Sequence, residues 1–201
     1  MASKYLKINY VLLICGGVFF LMMPPAQAEE FQTCVQRANE ASAEAMKQFK
    51  RAVHEGIAHK RPDLEPVSAL SRDLELLYVE QRAARTAFLL ASDPKRLDTT
   101  HGWGPFMNVK WTGEDEDALR AKDPAYAKLM EHVAALQIQS RDHPQRATLQ
   151  TYLQKELSKN PEYEQAVATQ ITQGKALEAG LQTCGGADSK TSGNANAKEQ
   201  H

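Results

Sequence analysis

Residues 66–91, with the sequence PVSALSRDLELLYVEQRAARTAFLLA, contain the clearest periodic pattern in the chain. Their apolar side chains recur in steps of three and four, which places them on one face of an α-helix. This seam consists of Val67, Leu70, Leu74, Leu77, Gln81, Ala84, Phe88 and Ala91. The pattern predicts a helix over about 65–92, ended by Asp93-Pro94. We expect its seam to pack against another helix of the same chain. The alternative is a second copy, in a homo-oligomer.

Helical periodicity extends to both sides of this segment. It predicts further long helices over about 30–59, 124–141 and 144–184, the last with breaks near Pro144 and Pro161. Between them, Thr112 can cap a short helix, with Asp115 at the capping-box position. The residues expected on the buried side of the last helix are Val167, Ile171, Gly174, Leu177, Leu181 and Cys184, with Gly174 and Gly180 marking a close approach between helices.

The first 28 residues are typical of a secretory signal. Lys4 and Lys7 precede an uncharged apolar run over 8–23, and Ala26-Gln27-Ala28 supplies small residues at the positions that signal peptidase accepts. We therefore predict cleavage after Ala28 and a periplasmic or secreted mature protein. The alternative is an uncleaved membrane anchor.

Two cysteines, Cys34 and Cys184, remain in the mature chain. In an exported protein an even pair favours a disulfide over free buried thiols, and the Cys-x-x-Cys spacing of a redox pair is absent. The bridge would bring the two ends of the folded region together, which requires an even number of antiparallel segments. We predict an all-α, antiparallel bundle of about four main segments over 29–184, its ends joined by this disulfide.

Charge and composition limit the classes of partner that the protein can bind. The chain has 24 Lys and Arg against 25 Asp and Glu, so loss of the signal lysines leaves a mildly acidic protein. Such a surface favours neither nucleic acid nor, after signal cleavage, a membrane. Residues 185–201 contain no Val, Ile, Leu or aromatic side chain, which predicts a disordered tail.

The sequence carries no recognised catalytic, cofactor or metal motif. It has no Gly-x-Ser-x-Gly turn, no phosphate-binding Gly-x-x-x-x-Gly-Lys and no His-Glu-x-x-His. His54 and His59 lie five residues apart, which puts them on different faces of a helix, so we interpret both as surface residues. We assign no catalytic residue, no metal ligand and no cofactor, and the chain favours a non-enzymatic role.

One irregular segment, over about 93–113, departs from the helical pattern. It contains both tryptophans of the protein and is too aromatic for a solvated linker. Its candidate binding residues are His101, Trp103, Phe106 and Trp111. Either they plug the bundle or they form an exposed binding loop. We expect Trp111 to pack inward and Trp103 to be partly exposed.

These patterns favour an exported binding protein of the cell envelope, such as an adaptor, an inhibitor or a chaperone-like module. Its partner would be another envelope protein or a cell-wall component. The first alternative is an envelope enzyme acting on a wall or sugar substrate through the 98–117 region. Its proton donor would be Glu114, Asp115 or Asp117. The second alternative is a carrier of a small ligand or of a metal bound through His101.

The mature protein should begin at Glu29, because Ala26-Gln27-Ala28 directly follows the apolar run. The intact mass of the exported protein checks this prediction. A mass that still includes residues 1–28 would contradict the predicted compartment, and with it the argument for a disulfide.

Overall fold

The computed structural model describes residues 25–97 and 111–184, which form helices joined by short connections and contain no strand. The α-helices are α1 (Pro25–Lys60), α2 (Glu65–Ser92), α3 (Gly113–Lys122), α4 (Pro124–Asp142), α5 (Arg146–Lys155) and α6 (Pro161–Cys184). Single 3-10 turns lie at Pro62–Leu64, Pro94–Arg96 and Leu157–Lys159. The predicted all-α fold is confirmed.

The helix ends follow local sequence signals. At Thr112 the predicted capping box is present, with the Thr112 hydroxyl accepting from the Asp115 amide and the Asp115 carboxylate accepting from the Thr112 amide. Asp123 caps α4 through the amides of Ala125 and Tyr126. Prolines occupy the first position of both α4 and α6. At this position the missing N–H costs no hydrogen bond within the helix.

Helix α1 is the common partner of the bundle. It packs against α2 on one side and α6 on another, while α4 packs on α2. All three pairs are antiparallel. The hydrogen bond from Asn39 to the Ala83 carbonyl and the ion pair of Lys50 with Glu75 fix the α1–α2 register. Gln81 of the predicted seam contacts Met130 of α4, so the seam faces a helix of the same chain.

The apolar core is divided into two clusters. Near the α1–α2 turn the buried residues are Val53, Ile57, Leu64, Val67, Leu149, Tyr152 and Ala166. At the opposite end they are Val35, Leu89, Leu90, Leu97 and Leu181, with Phe88 and Trp111 packed against them. Between the clusters, α1 and α2 bury polar side chains, including Asn39, Ser42 and His54. Among the described residues, no helix is long and apolar enough to cross a membrane.

The predicted disulfide between Cys34 and Cys184 is present, with its Cα atoms 5.5 Å apart. It joins α1 to the end of α6. At the far end of the same helix pair, Asn160 accepts a hydrogen bond from the Glu162 amide and donates one to the Gly56 carbonyl. Asn160 therefore caps α6 and ties it to α1 at the same time.

Three predictions about individual side chains are wrong. Ile171 is 53% exposed, because α6 packs chiefly on α1 and buries Ala166, Gly174 and Leu181 instead. Gly180 is exposed, with open space where a Cβ would lie, so it marks no close approach. His54 is only 4% exposed, because it faces α2 rather than solvent.

The helix bounds differ from the predicted ones mainly at the start. Helix α1 begins at Pro25, so its first residues, 25–28, belong to the predicted signal. The rest of that signal and the tail over 185–201 lie outside the described residues, and both stay predictions.

Replacing Cys34 and Cys184 by alanine should lower the free energy of unfolding by up to about 5 kcal/mol, because the bridge closes a long loop. The helical far-UV signal should persist, since the two apolar clusters remain. Thermal melts of the variant and the wild type measure the loss. Denatured wild-type protein that titrates two thiols before reduction would contradict the bridge.

Candidate functional site

The predicted aromatic segment is described only at its end. His101, Trp103 and Phe106 lie outside the described residues, so their role stays a prediction. Trp111 is half-buried and contacts Phe88 edge to face, with ring centroids 5.8 Å apart. The Arg85 guanidinium lies 5.0 Å from the Trp111 ring centroid. Trp111 therefore packs inward, as its sequence context predicts.

A polar network holds Trp111 in this position, and its centre is Glu116 of α3. One carboxylate oxygen of Glu116 accepts from the Trp111 indole N–H, the Tyr126 hydroxyl and the Arg85 guanidinium, at 2.7–3.0 Å. The other oxygen accepts from Arg120. No sequence signal singled out Glu116, because its partners come from three different helices and from the segment before α3.

This network keeps its acids ionised. Burial opposes ionisation of Glu116, but hydrogen bonds from Arg120, Tyr126, Trp111 and Arg85 outweigh it and lower the pKa to about 2. Hydrogen bonds from Arg96 and Thr112 hold the pKa of Asp115 well below its usual range. Neither acid is protonated near neutral pH. This argues against Asp115 as the proton donor that a sugar-directed enzyme would need.

A second polar cluster, formed by Ser68, His54 and Glu75, resembles a catalytic triad in composition only. His54 Nδ1 lies 2.8 Å from the Ser68 hydroxyl, and His54 Nε2 lies 3.5 Å from a Glu75 oxygen. Ser68 is only 1% exposed, so a substrate has no access to its hydroxyl. The cluster therefore satisfies buried polar groups where α1 packs on α2.

A groove of about 320 Å³ lies between α1 and α2, beside this cluster. Its walls are Asn39, Ser42, Ala43, Met46 and Lys50 of α1, and Glu75, Tyr78, Val79, Arg82 and Ala83 of α2. The spacings of three and four place each set on one helix face. The short side chains of Ala43 and Ala83 leave the space open. Its volume is at the lower end of the range for ligand pockets, roughly 300–1,000 Å³.

Polar groups are concentrated at one end of this groove. Asn39 is 3% exposed and donates to the Ala83 carbonyl at 2.9 Å, and its side-chain oxygen has no hydrogen-bond partner among the described residues. Ser42 is 6% exposed, and its hydroxyl likewise has none within the described part of the chain. Arg82 is exposed at the rim and forms no ion pair with any described carboxylate.

At the opposite end of the groove, the positive and negative side chains neutralise each other. Lys50 pairs with Glu75 at 3.0 Å. Burial opposes ionisation of Glu75, but His54 and Lys50 outweigh it and lower the pKa of this carboxyl. A second groove of about 340 Å³ lies between α1 and α6, and its lining includes four glutamines and the paired His59 and Glu162. One of these glutamines, Gln170, has a buried side-chain oxygen without a hydrogen-bond partner in the described part of the chain. In residues 25–97 and 111–184, no group of three or more His, Cys, Asp or Glu could hold a metal ion.

Glu116→Gln should flatten the acid dependence of stability. Because folding lowers the Glu116 pKa from 4.5 to about 2, its contribution is complete above pH 4.5 and is lost as the pH falls toward 2. Allowing for partial exposure, this contribution is about 2–3 kcal/mol. Thermal melts from pH 7 to pH 2 should show a lower but flatter profile for the variant.

Glu114→Gln is the matched control, because Glu114 is exposed on the same helix. Its profile should follow that of the wild type. Parallel acid profiles for the wild type and Glu116→Gln would contradict the role assigned to the network.

No protein-family model, curated protein or solved structure matches this chain. The feature that bears on function is therefore the groove between α1 and α2, with unpartnered polar groups at one end and a neutral ion pair at the other.

Proposed function

We propose that this chain is an exported binding protein of the cell envelope and that it holds a small ligand in the groove between α1 and α2. The observation that carries the proposal is Ser42, which is 6% exposed in the groove wall and whose hydroxyl has no hydrogen-bond partner among the described residues. This hydroxyl is not sealed from solvent, so a ligand or a water molecule in the groove can satisfy it.

The location in the envelope is supported by two features. The first 28 residues have the layout of a cleavable export signal. The bridge between Cys34 and Cys184 is of the kind that persists in oxidising compartments. Together they favour the periplasm or the extracellular space.

Binding is favoured over catalysis by the state of the polar groups. Asp115 and Glu116 are held ionised in ion pairs, and Ser68 is buried where α1 packs on α2. The groove, in contrast, combines an apolar lining with a few convergent polar groups, which is the usual composition of a ligand site. Of the alternatives that the sequence left open, the groove supports the small-ligand carrier.

A groove-filling substitution tests this function. Purified mature protein is incubated with a small-molecule extract of the envelope, and its melting temperature is measured. A ligand that binds only the folded state should raise the melting temperature of the wild type by several degrees. Ala43→Phe, which places a ring in the groove, should remove this response.

Ala135→Phe is the matched control, because Ala135 is exposed on α4. Its response should equal that of the wild type, and Ala83→Leu serves as a second filling variant if Ala43→Phe does not fold. An unresponsive wild type, or equal stabilisation of the groove-filled variants, would contradict the proposal.

A further inference from the structure

We infer that the ligand of the α1–α2 groove is a small monocarboxylate with an unbranched apolar body, an inference that rests on the function proposed above. The order of chemical groups along the groove supports this inference. One end offers a cation with unpartnered polar groups, the middle is apolar, and the other end is electrically neutral. A ligand that matches this order has one anionic head and one apolar tail.

The polar end is assembled by the antiparallel register of the two helices. The hydrogen bond from Asn39 to the Ala83 carbonyl, at 2.9 Å, places Asn39 of α1 beside Ala83 of α2. Ser42 lies one helical turn further along α1, and Arg82 precedes Ala83 on α2. The Ser42 hydroxyl and the Arg82 guanidinium thus lie at the same end of the groove.

A carboxylate matches the two donors at this end, Arg82 and Ser42, better than other small polar groups do. The guanidinium of Arg82 can donate two parallel hydrogen bonds to the two oxygens of a carboxylate, and charge strengthens both. The Ser42 hydroxyl can donate a third. An alcohol head group would leave the cation unneutralised, and an ammonium head group would be repelled by it.

The apolar middle of the groove sets the body of the ligand. Ala43 and Met46 of α1 face Val79 of α2, with the Tyr78 ring at the rim. Ser42 and Lys50 are eight residues apart, which corresponds to about 12 Å along the helix axis. This length suits an unbranched acyl chain of medium length.

The neutral end limits the ligand to a single charge. Lys50 is paired with Glu75 at 3.0 Å, and Glu75 also lies 3.5 Å from His54 Nε2. A second carboxylate at this end would have to break the pair and would face the Glu75 carboxylate. Outside the groove lining, Lys47 of α1 is likewise paired with Glu80 of α2, at 2.9 Å. Arg82 is therefore the cation in the groove wall that no described acid neutralises.

The test compares three probes with the same ten-carbon chain, namely decanoate, decanol and decyltrimethylammonium. The two ionic probes are used below their micelle concentrations, and decanol is used below its solubility limit. Binding to the mature protein is followed by NMR through the Met46 methyl and the Ala43 and Val79 amides. Decanoate should saturate these shifts at a concentration about tenfold lower than decanol, because it gains a charge-assisted hydrogen bond. The ammonium probe should bind more weakly than either.

Substitutions of Arg82 and Ser42 test where in the groove the head group of the ligand binds, and a substitution of Lys128 is the control. Arg82→Gln should weaken decanoate binding by about tenfold and leave decanol unchanged. Lys128→Gln, which removes an exposed positive charge on α4, should affect neither probe. Ser42→Ala should weaken decanoate binding by a smaller factor, since it removes one neutral donor.

The outcomes separate the ligand class from the proposed function. Equal affinity for decanoate and decanol, with Arg82→Gln unchanged, would overturn the carboxylate and leave a binding groove. Saturation that persists in Ala43→Phe would show that the probes bind elsewhere and would overturn the assignment to this groove. If no probe moves the groove signals, while the envelope extract still stabilises the wild type but not Ala43→Phe, the ligand class is wrong and the function stands.

Discussion

The antiparallel pairing of α1 with α6 is the constraint on which the rest of the structure depends, and it is fixed at both ends. The Cys34–Cys184 bridge closes one end, and Asn160 ties the start of α6 to the Gly56 carbonyl at the other. A Cβ at Gly56 would lie 3.1 Å from the Glu162 Cβ, which is tighter than an ordinary contact, so glycine favours this close approach. Helix α2 packs on the α1 of this pair, and α4 in turn packs on α2.

The groove follows from how α2 meets this surface. The apolar clusters bring the helices together at their two ends. Between them the short side chains of Ala43 and Ala83 leave a groove between α1 and α2, in which Met46 and Val79 are only partly buried. Apolar surface left open in this way costs stability, because it forgoes roughly 25 cal/mol for each Å² left unburied. Its persistence between two well-packed ends is consistent with a binding role.

Features of the chain that depend on local sequence were predictable. Proline breaks, the capping box at Thr112 and the periodic faces of α1 and α2 each arise within a few residues, and the bridge followed from the cysteine count. The burial of His54 was not predictable, because its partners Ser68 and Glu75 lie on another helix. The groove escaped prediction for the same reason: Ser42 and Arg82 line one groove only because of the register between two helices. The predicted burial of Ile171 was wrong because periodicity shows which residues share a helix face, but it does not show whether another helix covers that face.

The position of the disulfide also makes the chain a closed loop. Cys34 and Cys184 enclose nearly all of the described helices, so one cut of the backbone between them yields two fragments that stay covalently joined. Each fragment then refolds against the other as an intramolecular partner, at the high effective concentration of a tethered pair. In a compartment rich in proteases, a single nick would leave the assembled helices, and the groove between α1 and α2, in one molecule.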